Sequence, residues 1–443
     1  MAQQVTAIFD IGKTNKKFFL FDENLQEIKE EYIKIPMIKD DEGEECDDLT
    51  ALSVWVMDKV KQITDGNEYE IKALNFSTYG ASLVHIDEEG KPVTPIYNYL
   101  KPFPEDLHQE FYGKYPEISI NLNTASPTLG MLNSGLQIYW LKRKKPEIFK
   151  KIKYSLHLPQ YISFLFTGEA LSEPTSIGCH TKLWDFTKNT YHDWVYEEEI
   201  DSLLPKIMPS THTVEKELAG NMIKIGIGIH DSSSALASYL VKVKEPFLLI
   251  STGTWSISLN LYPEENLSIA NLQNDCLNFL SIQGNTVKAS RFFLGYELDH
   301  QVTQLNRIFE KDEKFYKKIN PDLPLISKML DGEIENSFYP ATIAKTPMVK
   351  ELFPENKWNP EAFSNYEEAY HQVIWGLTRM QVASLKMAQG NSPIRKVYID
   401  GGFVHNQVFI HLLHHFLEGY TLEFSDFPLG SAYGAALMLE GKL

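Results

Sequence analysis

The chain has 443 residues, enough for two large α/β domains or about three smaller ones, and its 42 Lys and Arg against 59 Asp and Glu leave a net charge of −17. That charge repels the phosphates of nucleic acids and anionic membrane surfaces, while 43% hydrophobic and 23% charged residues exclude a disordered or fibrous chain. Cys46, Cys179 and Cys276 show no CxxC or Cys/His spacing, which argues against a disulfide framework or a zinc site and for a reducing, cytoplasmic compartment.

Val5 to Phe9 reads as a strand with no basic leader or cleavage site before it, so no signal peptide is expected. The longest apolar stretches, such as Phe247 to Ile250, fall far short of the ~18 residues of a membrane span. After the first strand come Asp10-Ile-Gly12-Lys13-Thr14-Asn15 and a returning strand at Phe18 to Phe21. A glycine turn of this kind brings backbone N–H groups toward polyphosphate, and an acidic residue beside it suits Mg²⁺ or its water shell. Asp10 is therefore the candidate metal ligand, and Gly12, Lys13, Thr14 and Asn15 are the candidate phosphate ligands, with Lys16 and Lys17 as further counter-charges. A plain hairpin turn is the alternative. The acidic run Asp40 to Asp48 reads as a solvated loop.

Helical spacing covers Leu52 to Ile63, and Ile71 to Phe76 reads as a strand entering the turn Ser77-Thr-Tyr79-Gly80. Further helices are expected over Leu136 to Lys151 and Gln160 to Phe166, and Glu173 and Lys182 are left out of the candidate site because a surface salt bridge explains them as well. The glycine-rich strand Ile225-Gly-Ile-Gly-Ile delivers His230-Asp231 onto a helix running to Val241. Asp231 reads either as a helix cap or as a general base that takes a substrate hydroxyl proton during phosphoryl transfer.

Lys242 to Pro246 breaks the periodicity, which places a domain boundary near Lys244, with domains at 1–243 and 244–443. Immediately after it, Phe247 to Ile250, the turn Ser251-Thr252-Gly253-Thr254 and the strand Ile257 to Leu259 repeat the opening pattern and mark a duplicated architecture. Helices are expected at Tyr366 to Gln389 and Val408 to Glu418. Between them Asp400-Gly401-Gly402 and Asn406 can let a flat or anionic ligand approach the backbone. The small-residue run Pro428 to Ala436 permits close helix packing. His180, His212 and His414-His415 lie outside metal-ligand spacings.

The turn at Asp10 to Lys17, the Gly228-Ile-His-Asp231 segment, Ser251 to Thr254 and Asp400 to Gly402 occur in the order seen in the FGGY carbohydrate kinases, which this chain resembles over nearly its whole length. Ser77-Thr-Tyr-Gly80 with the His-Asp pair is most similar to the rhamnulokinase and deoxyketose kinase branch. Two positions depart from the pattern: Leu100-Lys101 stands where relatives commonly have an Arg-Asp pair, and Lys13 where small residues are usual. The resemblance implies a two-domain, actin-like or hexokinase-like ATPase fold of duplicated RNase H-like domains with a cleft between them. It also implies ATP and Mg²⁺ as cofactors and a monomer or homodimer. Gly80 and His230 would hold a ketose bordered by Tyr79, Asp231 would be the base, and Thr252, Gly253, Thr254, Gly401, Gly402 and Asn406 would bind nucleotide. A kinase of another polyol or ketose, such as xylulose or glycerol, and an actin-like or chaperone-like ATPase acting on a protein partner are the alternatives.

Overall fold

The computed structural model describes residues 2–424 and 430–441 and divides into two compact units. The first comprises 2–244, 278–286 and the helix Gly430–Glu440; the second comprises 245–277 and 287–424. Pro428 and Leu429, the start of the small-residue run, lie outside the described residues.

In the first unit, β1 (Gln3–Ile11) turns back as β2 (Lys16–Phe21), which pairs with β3 (Glu27–Ile33). On its other side β1 runs parallel to β4 (Tyr69–Thr78). The sheet continues through β6 (Asn221–Gly226) to β5 (Thr213–Leu218), and the short β7 (Ile229–His230) also lies parallel to β4. These central strands read as continuous apolar runs because both faces are covered. Phe9, Phe18, Leu20 and Phe76 pack against Leu52, Val56 and Val60 of α1 (Leu49–Thr64), while Ile8, Phe19 and Phe21 face Ala432, Ala435 and Ala436 of the last helix.

The last helix comes unusually close to the helix that begins at Asp231. A Cβ on Gly434 would sit 1.8 Å from the Ser234 carbonyl, so glycine is what permits the approach. Asn75 Nδ2 donates to the Ala435 carbonyl at 2.9 Å and fixes the same helix to β4.

The expected helix over Leu136 to Lys151 is two. α2 (Ser134–Lys144) stops before Pro146, which disfavours helical backbone at Lys145 and opens the separate turn Pro146–Phe149. The helix expected at Gln160 to Phe166 is α3 (Leu158–Thr167), and α4 (Asp231–Lys242) follows β7.

The second unit repeats the opening motif. β8 (Leu248–Thr252) turns back as β9 (Ser256–Asn260) and runs parallel to β12 (Lys396–Gly401), which carries β13 (Thr421–Phe424) at its edge. Beyond β9 lie β11 (Thr286–Phe292) and β10 (Cys276–Leu280), the strands that flank and partly include residues 278–286, which are counted with the first unit. α5 (Leu294–Ile308), the 24-residue α6 (Tyr366–Gln389) and α7 (Gln407–Phe416) contribute to the core around Leu248, Ile250 and Ile399. The buried Glu297 of α5 grips a loop, accepting from the backbone N–H groups of Ala341, Thr342 and Ile343. Among the described residues no helix is long and apolar enough to cross a membrane.

Candidate active site

In the first unit three strand ends lie side by side. Asp10 is in register with Ser77, Ser77 with Ile229, and His230 with Thr78. The sheet thereby gathers the Asp10 turn, the Tyr79-Gly80 turn and the His230-Asp231 helix start at one edge, from segments up to 221 residues apart in sequence. Asp10 is partly buried, and no ion pair reaches it among the described residues. Burial, together with the Asp231 charge, lifts its carboxyl to about 6 against the opposing pull of Ser431, Lys17 and Ser77.

Asp231 is the first residue of α4. The N-cap is His230, which makes no side-chain capping bond. The Asp231 carboxylate is one-third exposed and accepts from its neighbour Ser232, from N–H at 2.6 Å and from the hydroxyl at 3.2 Å. The His230 Nε2 stands 3.3 Å from Asp231 Oδ1 and 3.7 Å from Cys179 Sγ.

Burial opposes charge on both His230 and Cys179. His180 and His230 nevertheless draw the Cys179 thiol below its ordinary value, and Cys179, Asp231 and Glu173 raise that of His230. Gly80 makes the arrangement possible, because a Cβ there would lie 2.8 Å from His230 Nε2. Gly80→Ala is expected to push the imidazole aside, and overpacking of this kind costs about 1–3 kcal/mol. The thermal unfolding midpoint should fall accordingly, as scanning calorimetry can check; an unchanged midpoint refutes the close packing of His230 on Gly80.

Tyr79 and Lys13 converge on a residue that the sequence reading assigns to solvent. Asp47, with 5% of its side chain exposed, accepts from Lys13 Nζ at 2.5 Å and Tyr79 OH at 2.8 Å through Oδ2, and from Lys16 Nζ at 3.3 Å through Oδ1. Burial alone would raise its carboxyl, but Lys13, Tyr79 and Lys16 hold it below the usual carboxylate range. Lys16 also donates to the Lys13 carbonyl at 2.9 Å, and Lys17 forms a half-exposed ion pair with Glu30 at 2.7 Å. Thr14 and Asn15 are exposed at the tip of the turn, which Gly12 N–H closes onto the Asn15 carbonyl at 2.9 Å.

The acidic run is therefore solvated only in its middle, residues 41–45, and is tied down at both ends. Asp40 is buried against Lys101 at 2.5 Å, and Asp41 meets Lys145 at 2.5 Å. Both lysines lie over the Tyr97 and Trp140 rings. A surface salt bridge does not explain Glu173 and Lys182, since both residues are fully buried. Glu173 caps a helical turn, accepting from Thr175 and Ser176 N–H and from the Ser210 hydroxyl. Lys182 donates to Asn121 Oδ1 and to the Ser126 carbonyl. Burial lowers its pKa to about 7.

The second unit brings Thr252, Gly253, Thr254, Gly401 and Gly402 together. Thr252 is in register with Gly401, its hydroxyl donates to the Asp400 carbonyl at 2.6 Å, and it accepts from Phe403 N–H at 3.1 Å. Gly253 and Thr254 are exposed, with their carbonyls fixed by Gly295 N–H. Asn406 is the cap of α7, accepting from Phe409 N–H and donating to Tyr370 OH. His180 Nδ1 faces the Leu132 carbonyl at 3.2 Å, and no cluster of three or more metal-ligating side chains occurs among the described residues.

Comparison with known proteins bears on the same two halves. The profile of the N-terminal domain of the FGGY family of carbohydrate kinases matches residues 5–237, and that of the FGGY carbohydrate kinase C-terminal domain matches residues 244–443. The chain belongs to the FGGY family of carbohydrate kinases. Among curated FGGY relatives, a rhamnulokinase of Halalkalibacterium halodurans is 26% identical over 228 residues, covering 48% of this chain and 47% of that protein. A xylulose kinase of Lactococcus lactis is 27% identical over 270 residues, covering 55% and 51%. The chain thus spans about half the length of the curated relatives it matches. Of solved structures, a carbohydrate kinase from Novosphingobium aromaticivorans superposes with a TM-score of 0.81 at 20% identity, covering 100% of this chain and 92% of that one. Plasmodium falciparum glycerol kinase with ADP gives 0.74 at 17% identity, covering 100% and 90%. These likenesses establish the two-domain α/β fold of FGGY kinases.

Proposed function

We propose that this protein is an ATP-dependent kinase that transfers the γ-phosphoryl group of ATP to a hydroxyl of a ketose such as L-rhamnulose or L-fuculose. The observation that carries the reading is Asp231, a partly exposed carboxylate at the start of a helix, bonded among the described residues within its own turn and to His230, whose imidazole packs against the bare backbone of Gly80. Asp231 accepts the acceptor's hydroxyl proton as the O–P bond forms, and ADP leaves with the electrons of the broken bond. Gly80 and His230 orient the ketose, and Tyr79, anchored to Asp47, borders it. The acceptor belongs to the domain ending near 243 and the nucleotide to the domain beginning at 244.

The residues fit Mg²⁺ and ATP. Asp10 is a carboxylate whose charge is disfavoured by burial and by Asp231, a combination that a bound cation relieves. Gly12, Thr14 and Asn15 in one unit, and Thr252, Gly253, Thr254, Gly401 and Gly402 in the other, present the backbone turns that suit phosphates; Asn406 shapes the helix start after them. MgATP supplies the transferable phosphoryl group and neutralises its charge.

The rhamnulokinases among the relatives favour L-rhamnulose, and the xylulose kinase keeps D-xylulose as the second candidate. A coupled ADP-release assay with L-rhamnulose, L-fuculose, D-xylulose, gluconate and glycerol tests the proposal. Stimulation by a deoxyketose supports it. ATP turnover that no sugar changes refutes it.

A further inference from the structure

We infer that Lys13 serves the acceptor rather than the phosphates, and that with Asp47 it forms a specificity clamp beside Tyr79 and Tyr99. This rests on the reading of Gly80, His230 and Asp231 as the acceptor side.

Lys13 projects from a turn that suits phosphate, yet its ammonium group lies 5.1 Å from the centre of the Tyr79 ring and 5.0 Å from that of Tyr99 while bonded to Asp47 at 2.5 Å. Three independent attachments fix that direction. Lys16 holds the Lys13 carbonyl, Tyr79 OH holds the same carboxylate oxygen that Lys13 uses, and the Tyr79 N–H is bonded to the Ile11 carbonyl. Reaching a phosphate would require Lys13 to leave a buried carboxylate short of a counter-charge and to abandon two ring faces, which is unfavourable in a weakly solvated setting.

Tyr79 links the clamp to the chemistry. Tyr99 packs edge-on against it with centroids 6.2 Å apart. The chain neighbours of Tyr79 on either side are Thr78, in register with His230, and Gly80, against whose backbone the His230 imidazole packs, so the clamp and the Asp231 helix start meet at one end of the sheet. Lys13 keeps 22% of its side chain exposed and has N–H donors beyond the one given to Asp47. A neutral polyhydroxy acceptor lying between Asp231 and the two tyrosines offers hydroxyl oxygens to those donors.

The test is Lys13→Met, which preserves length and removes the charge. Binding of MgAMPPNP is expected to stay within about twofold by calorimetry, while KM for L-rhamnulose rises tenfold or more with a smaller change in kcat. Lys13→Arg, which keeps a cation for Asp47, should recover part of that loss. A threefold or greater loss of MgAMPPNP affinity, or an unchanged acceptor KM, overturns the assignment.

If Lys13→Met does not fold, the wild-type protein still decides the matter. Acetylation of Lys13, followed by peptide mass spectrometry, should be slowed by L-rhamnulose and not by MgAMPPNP, and the reverse pattern overturns the inference. Should no ketose support turnover, the kinase reading fails separately, and the MgAMPPNP measurement still reports on whether Lys13 belongs to the phosphates.

Discussion

Asp231→Asn is expected to lower sugar-dependent turnover about 10²- to 10⁴-fold, the usual cost of losing a general base, while MgADP binds as before. Asn is the stringent choice because its side-chain oxygen can still accept from Ser232 N–H, the 2.6 Å bond that Asp231 makes in the helix's first turn. The fold and the helix start are therefore preserved, and the thermal unfolding midpoint should not move. A helix-stabilising role would give the opposite signature, with a lowered midpoint and little change in turnover. Retention of more than about a tenth of wild-type kcat would remove Asp231 from the chemistry by the same magnitude.

Gly401→Ala and Gly402→Val should separate two roles that look alike in sequence. Gly401 has φ of 90°, and a Cβ there would fall 1.8 Å from the Thr252 carbonyl across the β8–β12 pair. Backbone on both sides of the clash is held in a parallel ladder, so alanine should destabilise the second unit by about 3 kcal/mol or more, combining strain with overpacking. Gly402 is different, since a Cβ there meets no atom within 4 Å. Valine at that position should leave the unfolding profile intact and, if the proposed nucleotide site is right, weaken MgADP by tenfold or more by filling the space left for a phosphate at the backbone. Scanning calorimetry and titration with MgADP read both. Wild-type affinity in Gly402→Val would move the nucleotide away from this turn.

What could be read from the sequence is what the chain writes locally. The hairpins at Asp10 to Asn15 and Ser251 to Ser256 are each a strand, a glycine turn and a strand, and both appear with the parallel neighbour that a duplication requires. His230-Asp231 was recognisable because a glycine-rich strand runs directly into a helix. Asp47 was not, because its partners Lys13 and Tyr79 lie 34 and 32 residues away and an ion pair leaves no periodicity. Its neighbour Asp48 caps α1, so the acidic run mixes a local role with distant ones. Lys101 and Asp40 were likewise invisible as a pair, being 61 residues apart. Glu173 and Lys182 show the limit from another side: a charged residue is usually exposed, and only tertiary packing shows that these two are not.

The helix Gly430–Glu440 has a consequence for biosynthesis. It covers one face of the first unit's sheet, and Asn75 reaches across 360 positions of sequence to bond its Ala435 carbonyl. On the ribosome, residues up to 244 are made long before that covering arrives, leaving Ile8, Phe19 and Phe21 without their alanine partners. At about 5–20 residues per second the interval is roughly 10–40 s. During it the part of the sheet face that Ala432, Ala435 and Ala436 cover stays open, with Ile229 and Ala237 among its remaining apolar neighbours, so the demand for a holdase chaperone should peak after the first unit has emerged and end once residue 440 has cleared the tunnel.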